Sequence, residues 1–272
     1  MPRIALLDSG IGGLSVLQAI KQQIPNASIL YFADHAYSPY GNKDTLWLNH
    51  HIVQLVSALN QQHKLDAIVI ACNTASTLCL AQLRQCINTP IIGVVPAVKT
   101  AANLTKNQSI GVLATPTTIH GEYLKSLISD FAHQCQITKV ASTELVSLAE
   151  KKLNKQPIEQ KTIAHIIEPL IKSRCDYVVL GCTHFPHLKP ELTALAAHIN
   201  WIDSADAIAK RCISLLEDTH IENNNQTPKP HMSFYSSAQI NNGLHLTLTE
   251  FGFTDIQANV QLYDVQLNSV HS

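Results

Sequence analysis

No stretch of this sequence approaches the roughly 18 consecutive apolar residues that a membrane-spanning helix needs. The N-terminus runs from MPR straight into IALLDSG, without the charged and apolar segments of a signal peptide. A charge excess of one sign is missing too. The 19 Lys and Arg against 20 Asp and Glu leave a formal net charge of -1, and no basic run or aromatic-laced patch marks a nucleic-acid or membrane-surface binder. There is no C-x-x-C pair and no H-E-x-x-H motif, which removes the usual sequence signatures of a metal site. Seven scattered cysteines, an odd number, fit reduced thiols better than a disulfide framework. The expectation is a cytoplasmic chain that meets neither nucleic acid nor membrane.

What is present is a repeat. DAIVIACNT at Asp66 to Thr74 returns as DYVVLGCTH at Asp176 to His184, and both Asp66 to Asp176 and Cys72 to Cys182 are offset by 110 residues. RIALLDS at Arg3 pairs with SIGVLAT at Ser109, and PIIGVVPAV near Pro90 with NWIDSADAI near Asn200, the latter again close to a shift of 110. With 272 residues, 46% of them hydrophobic, the chain can bury a substantial core.

Strand-length apolar runs alternate with helix-length amphipathic segments, the pattern of βα units around a parallel sheet. The predicted strands are Ile4 to Leu7, Ile29 to Phe32, Ala67 to Ala71, Ile91 to Val94, Ile110 to Leu113, Thr138 to Ala141, Tyr177 to Leu180 and Asn200 to Ile202. Predicted helices include Leu14 to Gln23, Leu46 to Gln62, Ser76 to Cys86, Gly121 to His133, Ile158 to Lys172, Pro190 to His198 and Ala205 to Leu216. A polar surface loop is expected at Glu222 to Lys229, then a helix around Ile240 to Phe251. The fold class expected is α/β: two similar, pseudo-symmetric domains of about four strands each, with mainly parallel sheets flanked by helices. Residues 98–206 form the second, and 1–97 with a returning 207–272 the first.

In an open parallel sheet, ligands sit outside the carboxyl ends of the strands. Four such ends carry polar residues: Asp8 and Ser9, Cys72 to Thr74, Thr115 to Thr118, and Cys182 to His184. DSGIGGLS at Asp8 to Ser15 reads as a strand-to-helix turn whose N–H groups attract an anion. It is not a dinucleotide fingerprint, because the third glycine would fall at Ser15, and no P-loop lysine follows.

Two thiols at matched strand ends suit a reaction that works both faces of one carbon. Lowering a thiol pKa from about 8.5 to about 7 takes roughly 2 kcal/mol of preferential thiolate stabilisation. A helix N-terminus and an imidazole can supply it. His184 is the candidate beside Cys182, and Asp8 the base or orienter near Cys72. Cys79 and Cys86 are read as packing residues, and Cys135, Cys175 and Cys212 as having no polar company. A metal held by Cys72, Cys182 and His184, a redox disulfide between the two thiols, and a two-lobed amino-acid-binding protein remain open alternatives. YSPYGNK at Tyr37 to Lys43 is a turn-rich loop able to close over a polar ligand.

Taken in order, DSGIGGLS, the PYG of Pro39 to Gly41, ACNTAS at Ala71 to Ser76, GVLAT at Gly111 to Thr115 and LGCTHFP at Leu180 to Pro186 resemble the glutamate racemases. The resemblance runs from Ile4 to about Ile208. It implies a cofactor-independent isomerase that interconverts L- and D-glutamate and supplies D-glutamate for peptidoglycan synthesis, with racemisation of another acidic amino acid as the alternative. It makes Cys72 and Cys182 the acid/base thiols, assisted by Asp8, His184 and Glu150. Asp8, Ser9, Tyr40, Gly41, Asn73, Thr74, Thr115, Thr118, Thr183 and His184 become substrate contacts. No metal or cofactor is implied. The expected partner is small-molecule glutamate, with a homodimer left open. Glu150 ends ASTELVSLAE, where Ser142, Thr143 and Ser147 depart from the family's ACPLFVPLVE pattern; FYSSA at Phe234 to Ala238 likewise departs from FYTTG.

Overall fold

The computed structural model describes residues 1–218 and 230–262. In chain order the elements are β1 (Arg3–Asp8), α1 (Leu14–Gln23), β2 (Ser28–Ala33), α2 (Thr45–Gln62), β3 (Ala67–Ile70), α3 (Asn73–Cys86), β4 (Ile91–Gly93) and α4 (Val98–Leu104). There follow β5 (Ser109–Ala114), α5 (Pro116–His120), α6 (Glu122–Phe131), β6 (Gln136–Ala141), α7 (Glu144–Leu153), α8 (Gln160–Lys172), β7 (Tyr177–Gly181), α9 (Lys189–Leu195) and β8 (Asn200–Ile202). The last are α10 (Ala205–Asp218), β9 (Met232–Ser236), α11 (Asn242–Phe251) and β10 (Asp255–Gln257). The polar loop expected at Glu222 to Lys229 lies outside the described residues. No described helix is long and apolar enough to cross a membrane.

Two sheets form, and every pairing in them is parallel. The first has the order β10-β9-β2-β1-β3-β4 and the second β6-β5-β7-β8. The run β2-β1-β3-β4 of the first thus repeats the order of the second. The sequence repeat is therefore a repeat of topology.

The apolar runs explain why both faces of each sheet are covered. In β1, Ile4 and Leu6 enter a core shared with α1, α10 and α11, while Ala5 and Leu7 enter one shared with α2 and α3. In the second sheet Val178 and Leu180 face α7 and α8, while Ile110, Val112 and Val179 face α4 and α6. Side chains that alternate between two buried faces make a central parallel strand apolar throughout. Each fully buried Leu or Ile contributes about 1.5–3 kcal/mol from the transfer alone.

Several boundaries differ from the sequence expectation. The first sheet has six strands rather than about four, because β9 and β10 extend it beyond β2. Serines interrupt the hydrophobic signal of β9 (MSFYS), and β10 is only three residues long. Phe234 of β9 is nonetheless buried, stacked on Tyr31 at 5.3 Å between ring centroids. The helix expected over Gly121 to His133 is α6, and a short helix not expected from the sequence, α5, starts at Pro116 before it, with Gly121 in extended backbone between the two. α3 begins at Asn73, three residues before expectation, which places Cys72 at its N-cap. Asn and Thr favour caps over helix interiors, which masked that start. Cys79 packs in the core, but Cys86 is exposed, and Cys175 has polar company after all, with Ser173 Oγ 3.0 Å from its sulfur.

α11 braces α7 from the first sheet's side. Thr247 donates its hydroxyl to the Leu153 carbonyl, and Lys155 pairs with Glu250. A Cβ at Gly243 would stand 2.1 Å from the Asn154 carbonyl oxygen. Gly243→Ala is expected to push the two helices apart and cost about 1–3 kcal/mol in chemical denaturation. A variant as stable as the wild type would show that this approach is not tight.

Candidate active site

The carboxyl ends of the two sheets face each other, and the switch points of both strand orders meet there. At each switch point neighbouring strands lead off in opposite directions, which opens a crevice at β1/β3 and at β5/β7. The residues just past these four strands wall a single narrow cavity. Its lining includes Ser9, Tyr40, Gly41, Cys72, Asn73, Thr74, Thr115, Cys182, Thr183 and His184 from the sequence-derived set, together with Pro39 and Val146. Both thiols are free and 7% exposed, so each retains a narrow opening to the shared space.

Three candidates stand behind the wall rather than in it. Asp8 is fully buried; its Oδ1 accepts the Gly10 N–H at 2.8 Å and its Oδ2 accepts the Thr183 hydroxyl at 2.9 Å. Thr118 sits 3.2 Å behind Thr115, which in turn lies 3.1 Å from Thr74. Glu150 reaches His184, with Oε1 2.7 Å from Nε2, so the altered 141–150 segment still delivers it. Its helix, α7, also presents Val146 one turn earlier, an i, i+4 pair that could have been read from the sequence.

The glycine-rich turn does hold anions, but they belong to the protein. The Gly10 N–H holds Asp8 and the Ile11 N–H meets Glu150 Oε1 at 3.3 Å. A Cβ at Gly12 would come within 2.4 Å of the His184 ring, so glycine there lets the imidazole lie against the backbone.

The Tyr40 hydroxyl is committed to Asp34 Oδ2 at 2.7 Å, and the same oxygen lies 2.6 Å from His51 Nε2. All three side chains are buried, and the Gly41 carbonyl accepts the Thr117 hydroxyl. These contacts fix the Tyr37 to Lys43 loop over the cavity. Sequence reasoning missed Asp34, although it follows the end of β2 as Ser9 follows β1.

The electrostatics of the two thiols differ. Burial pushes the Cys72 thiol well up, with the Asp8 charge adding to it; the Ala75 N–H at the start of α3 and Ser9 pull the other way. At neutral pH Cys72 is a thiol whose sulfur lies 3.9 Å from Ser9 Oγ. Cys182 lies 3.8 Å from His184 Nδ1. Burial opposes a charged His184, but hydrogen bonds to Cys182 and Glu150 outweigh it and hold the pKa well above the usual imidazole range. Glu150 responds in kind: burial works against its charge, and the His184 hydrogen bond and charge, with His35 and the Ile11 N–H, together outweigh it and keep the carboxyl below its usual range.

No group of three or more potential metal ligands is assembled among the described residues. A larger groove of about 880 Å³ lies at the opposite, N-terminal end of the first sheet, between Arg3, Lys64 and His231. No cysteine lines it.

The Asp/Glu/Hydantoin racemase family model matches residues 11–212. The chain belongs to this family. Among relatives in the racemase family, it is 40% identical over 256 residues to the glutamate racemase of Shewanella loihica, covering 94% of this chain and 95% of that one. It is 42% identical over 266 residues to the glutamate racemase of Shewanella denitrificans, covering 93% and 96%. Escherichia coli glutamate racemase, solved in complex with L-glutamate and the activator UDP-MurNAc-ala, matches with a TM-score of 0.87 at 36% identity over 94% of this chain and 97% of that one. The Francisella tularensis glutamate racemase, solved in complex with D-glutamate, matches at 0.79 and 27%, over 96% and 98%.

The fully buried Asp8 yields a stability prediction for this racemase. Burial raises its carboxyl pKa, with His184, the Gly10 N–H and Thr183 partly compensating. The unfolded state therefore releases the proton at lower pH than the native state does. Stability is lost as pH rises from about 4 through the native pKa. Asp8→Asn is expected to flatten this pH dependence of the denaturation free energy above about pH 4 while lowering turnover. A variant that keeps the wild-type loss of stability with rising pH would contradict the buried-charge cost.

Proposed function

We propose that this protein is a cofactor-independent glutamate racemase, working by two-base proton transfer between Cys72 and Cys182. The observation that carries the reading is two free thiols at topologically equivalent strand ends, opening into one cavity walled by hydroxyl and amide groups. A single base would return the α-proton to the face it left; opposed groups exchange it across the stereocentre.

In the proposed starting state Cys182 is the base, with the protonated His184 beside it, and Cys72 keeps its proton. Cys182 accepts the α-proton, the electron pair stays on the α-carbon, and Cys72 delivers its proton to the other face. The product state is the reverse: Cys182 is the thiol and Cys72 the thiolate. Turnover in the same direction then needs a proton moved back, which His184 on one side and Asp8 on the other are placed to assist.

The hard step is removing a proton next to a carboxylate, and preorganised donors stabilise the developing charge better than mobile water. Among the described residues no Lys or Arg lines the cavity, so the substrate's charged groups fall to neutral donors. Ser9, Asn73, Thr74 and Thr115 supply them, with the backbone of Tyr40 and Gly41 closing the top, Thr118 orienting Thr115, and Thr183, its hydroxyl committed to Asp8, offering its backbone N–H. Glu150 and Asp8 act through His184 and Thr183.

The two thiols sit on different lobes in this reading, residues 1–97 with 207–272 and residues 98–206. Its support is that α10 packs along α1 and that β9 and β10 extend the first sheet. The product D-glutamate would serve peptidoglycan synthesis in the cytoplasm.

The test is polarimetry with L- and D-glutamate, run beside aspartate, on the wild type and on Cys72→Ser and Cys182→Ser. Each substitution is expected to slow racemisation by about 10²–10⁴-fold. In deuterated water each variant should retain α-hydrogen exchange with at most one enantiomer. Racemisation at the wild-type rate in either variant removes that thiol from the mechanism. Saturable glutamate binding by the wild type without optical change would make the protein a binding module instead.

A further inference from the structure

Cys72 and Cys182 stand at equivalent strand ends, yet their supports differ. Near Cys72 are Ser9 and Asp8. Cys182 starts a line of side chains running out of the site: His184 Nδ1 at 3.8 Å, Glu150 Oε1 2.7 Å from His184 Nε2, and His35 Nε2 4.0 Å from the second Glu150 oxygen. The line ends on Ser236, whose Oγ is 3.0 Å from His35 Nδ1. Ser236 belongs to β9, a strand without a counterpart in the second sheet. His35 follows β2, is largely buried and lines no part of the cavity.

The proton on His35 can be placed by accounting for donors. Ser236 is fully buried, and its Oγ already accepts the Ala238 N–H at 3.3 Å. Its single O–H needs an acceptor, and His35 Nδ1 is in reach. Nδ1 is therefore the acceptor, the ring proton sits on Nε2, and that N–H faces the Glu150 carboxylate. Gly10 makes room for the arrangement. A Cβ there would come 2.5 Å from Glu150 Oε1 and 3.5 Å from both His184 Nε2 and His35 Cδ2.

We propose that His35, oriented by Ser236, is a positioning residue for the racemisation: its Nε2–H faces the second oxygen of Glu150 across 4.0 Å, too long for a hydrogen bond but close enough for charge–dipole attraction to bias where that carboxylate sits, and so steadies the imidazole facing Cys182. The proposal rests on the glutamate racemase reading above. His35 touches neither substrate nor sulfur. The charged and titratable groups facing it are Glu150 from α7, His184 after β7, Asp8 at the end of β1 and Asp34 beside it. Burial lowers its pKa, so near pH 7 it acts as a neutral donor.

The experiment measures kcat and KM for both glutamate enantiomers across pH, with the full chain and its His35→Ala, His35→Gln and Ser236→Ala variants. Glutamine can place an amide N–H where Nε2–H lies. His35→Ala is expected to lose about 10-fold in kcat with KM within about two-fold. Its acid limb should move to higher pH, because Glu150 loses a group that favours its ionised form. His35→Gln should recover most of the rate and the wild-type limb, and Ser236→Ala should show a smaller loss of the same kind. Wild-type kcat and acid limb in His35→Ala would overturn the proposal. So would equal losses in the Ala and Gln variants alongside lowered thermal midpoints, the pattern of simple packing. A wild-type chain that does not racemise glutamate would instead remove the reading beneath it.

Discussion

A buried hydrogen bond to a carboxylate joins the two sheets where the chemistry is placed: the Thr183 hydroxyl, just past β7, donates to Asp8 at the end of β1. An ionised carboxylate cut off from water costs several kcal/mol unless its oxygens are occupied. Asp8 spends one oxygen on its own turn and the other on the opposite sheet. Each sheet end alone would leave polar groups unpaired. Together they satisfy one another and hold the two thiols across one small space. Ser15 adds a second tie, bonding both the Gly12 and Thr183 carbonyls, and Ser204 a third, to the Val95 carbonyl.

Duplicated topology supplies equivalent positions without supplying equivalent surroundings. β1 and β5, and β3 and β7, occupy the same places in their sheets. Asp8, however, ends β1 where Ala114 ends β5, and His184 stands two residues after Cys182 where Thr74 stands two after Cys72. A reaction that starts with one sulfur charged and the other protonated needs such a difference. With identical environments neither assignment would be favoured, and the fraction of molecules ready to begin would fall.

Much of this arrangement was legible in the sequence. The 110-residue offset gave the two sheets their matching strands, and the polar residues after strand ends named most of the cavity wall. Glu150 was legible only through resemblance, since nothing in ASTELVSLAE shows that α7 aims it across at a histidine from another segment. The second layer was harder still. Asp34, His51 and His35 are ordinary polar residues in a loop or helix until the fold brings partners roughly 17 to 200 residues away to within hydrogen-bonding distance. β9 stayed hidden because alternating serines weaken its apolar signal, while its burial is set by β2 on one side and β10 on the other.

That late strand also orders events during synthesis. β2 pairs with β9 across roughly 200 residues of chain, with Ile29 opposite Met232. The second sheet's strands lie entirely within Ser109–Ile202, so a nascent chain can complete them while the first sheet still lacks an outer edge. Until β9 docks, β2 presents unpaired backbone groups to its surroundings, the kind of exposed border that invites wrong pairings. The serine that orients His35 arrives in the same step. Closing the sheet and completing the outer support of Cys182 are thus one event on the assembly path, so a chain stalled before this point carries both an aggregation hazard and an unfinished catalyst.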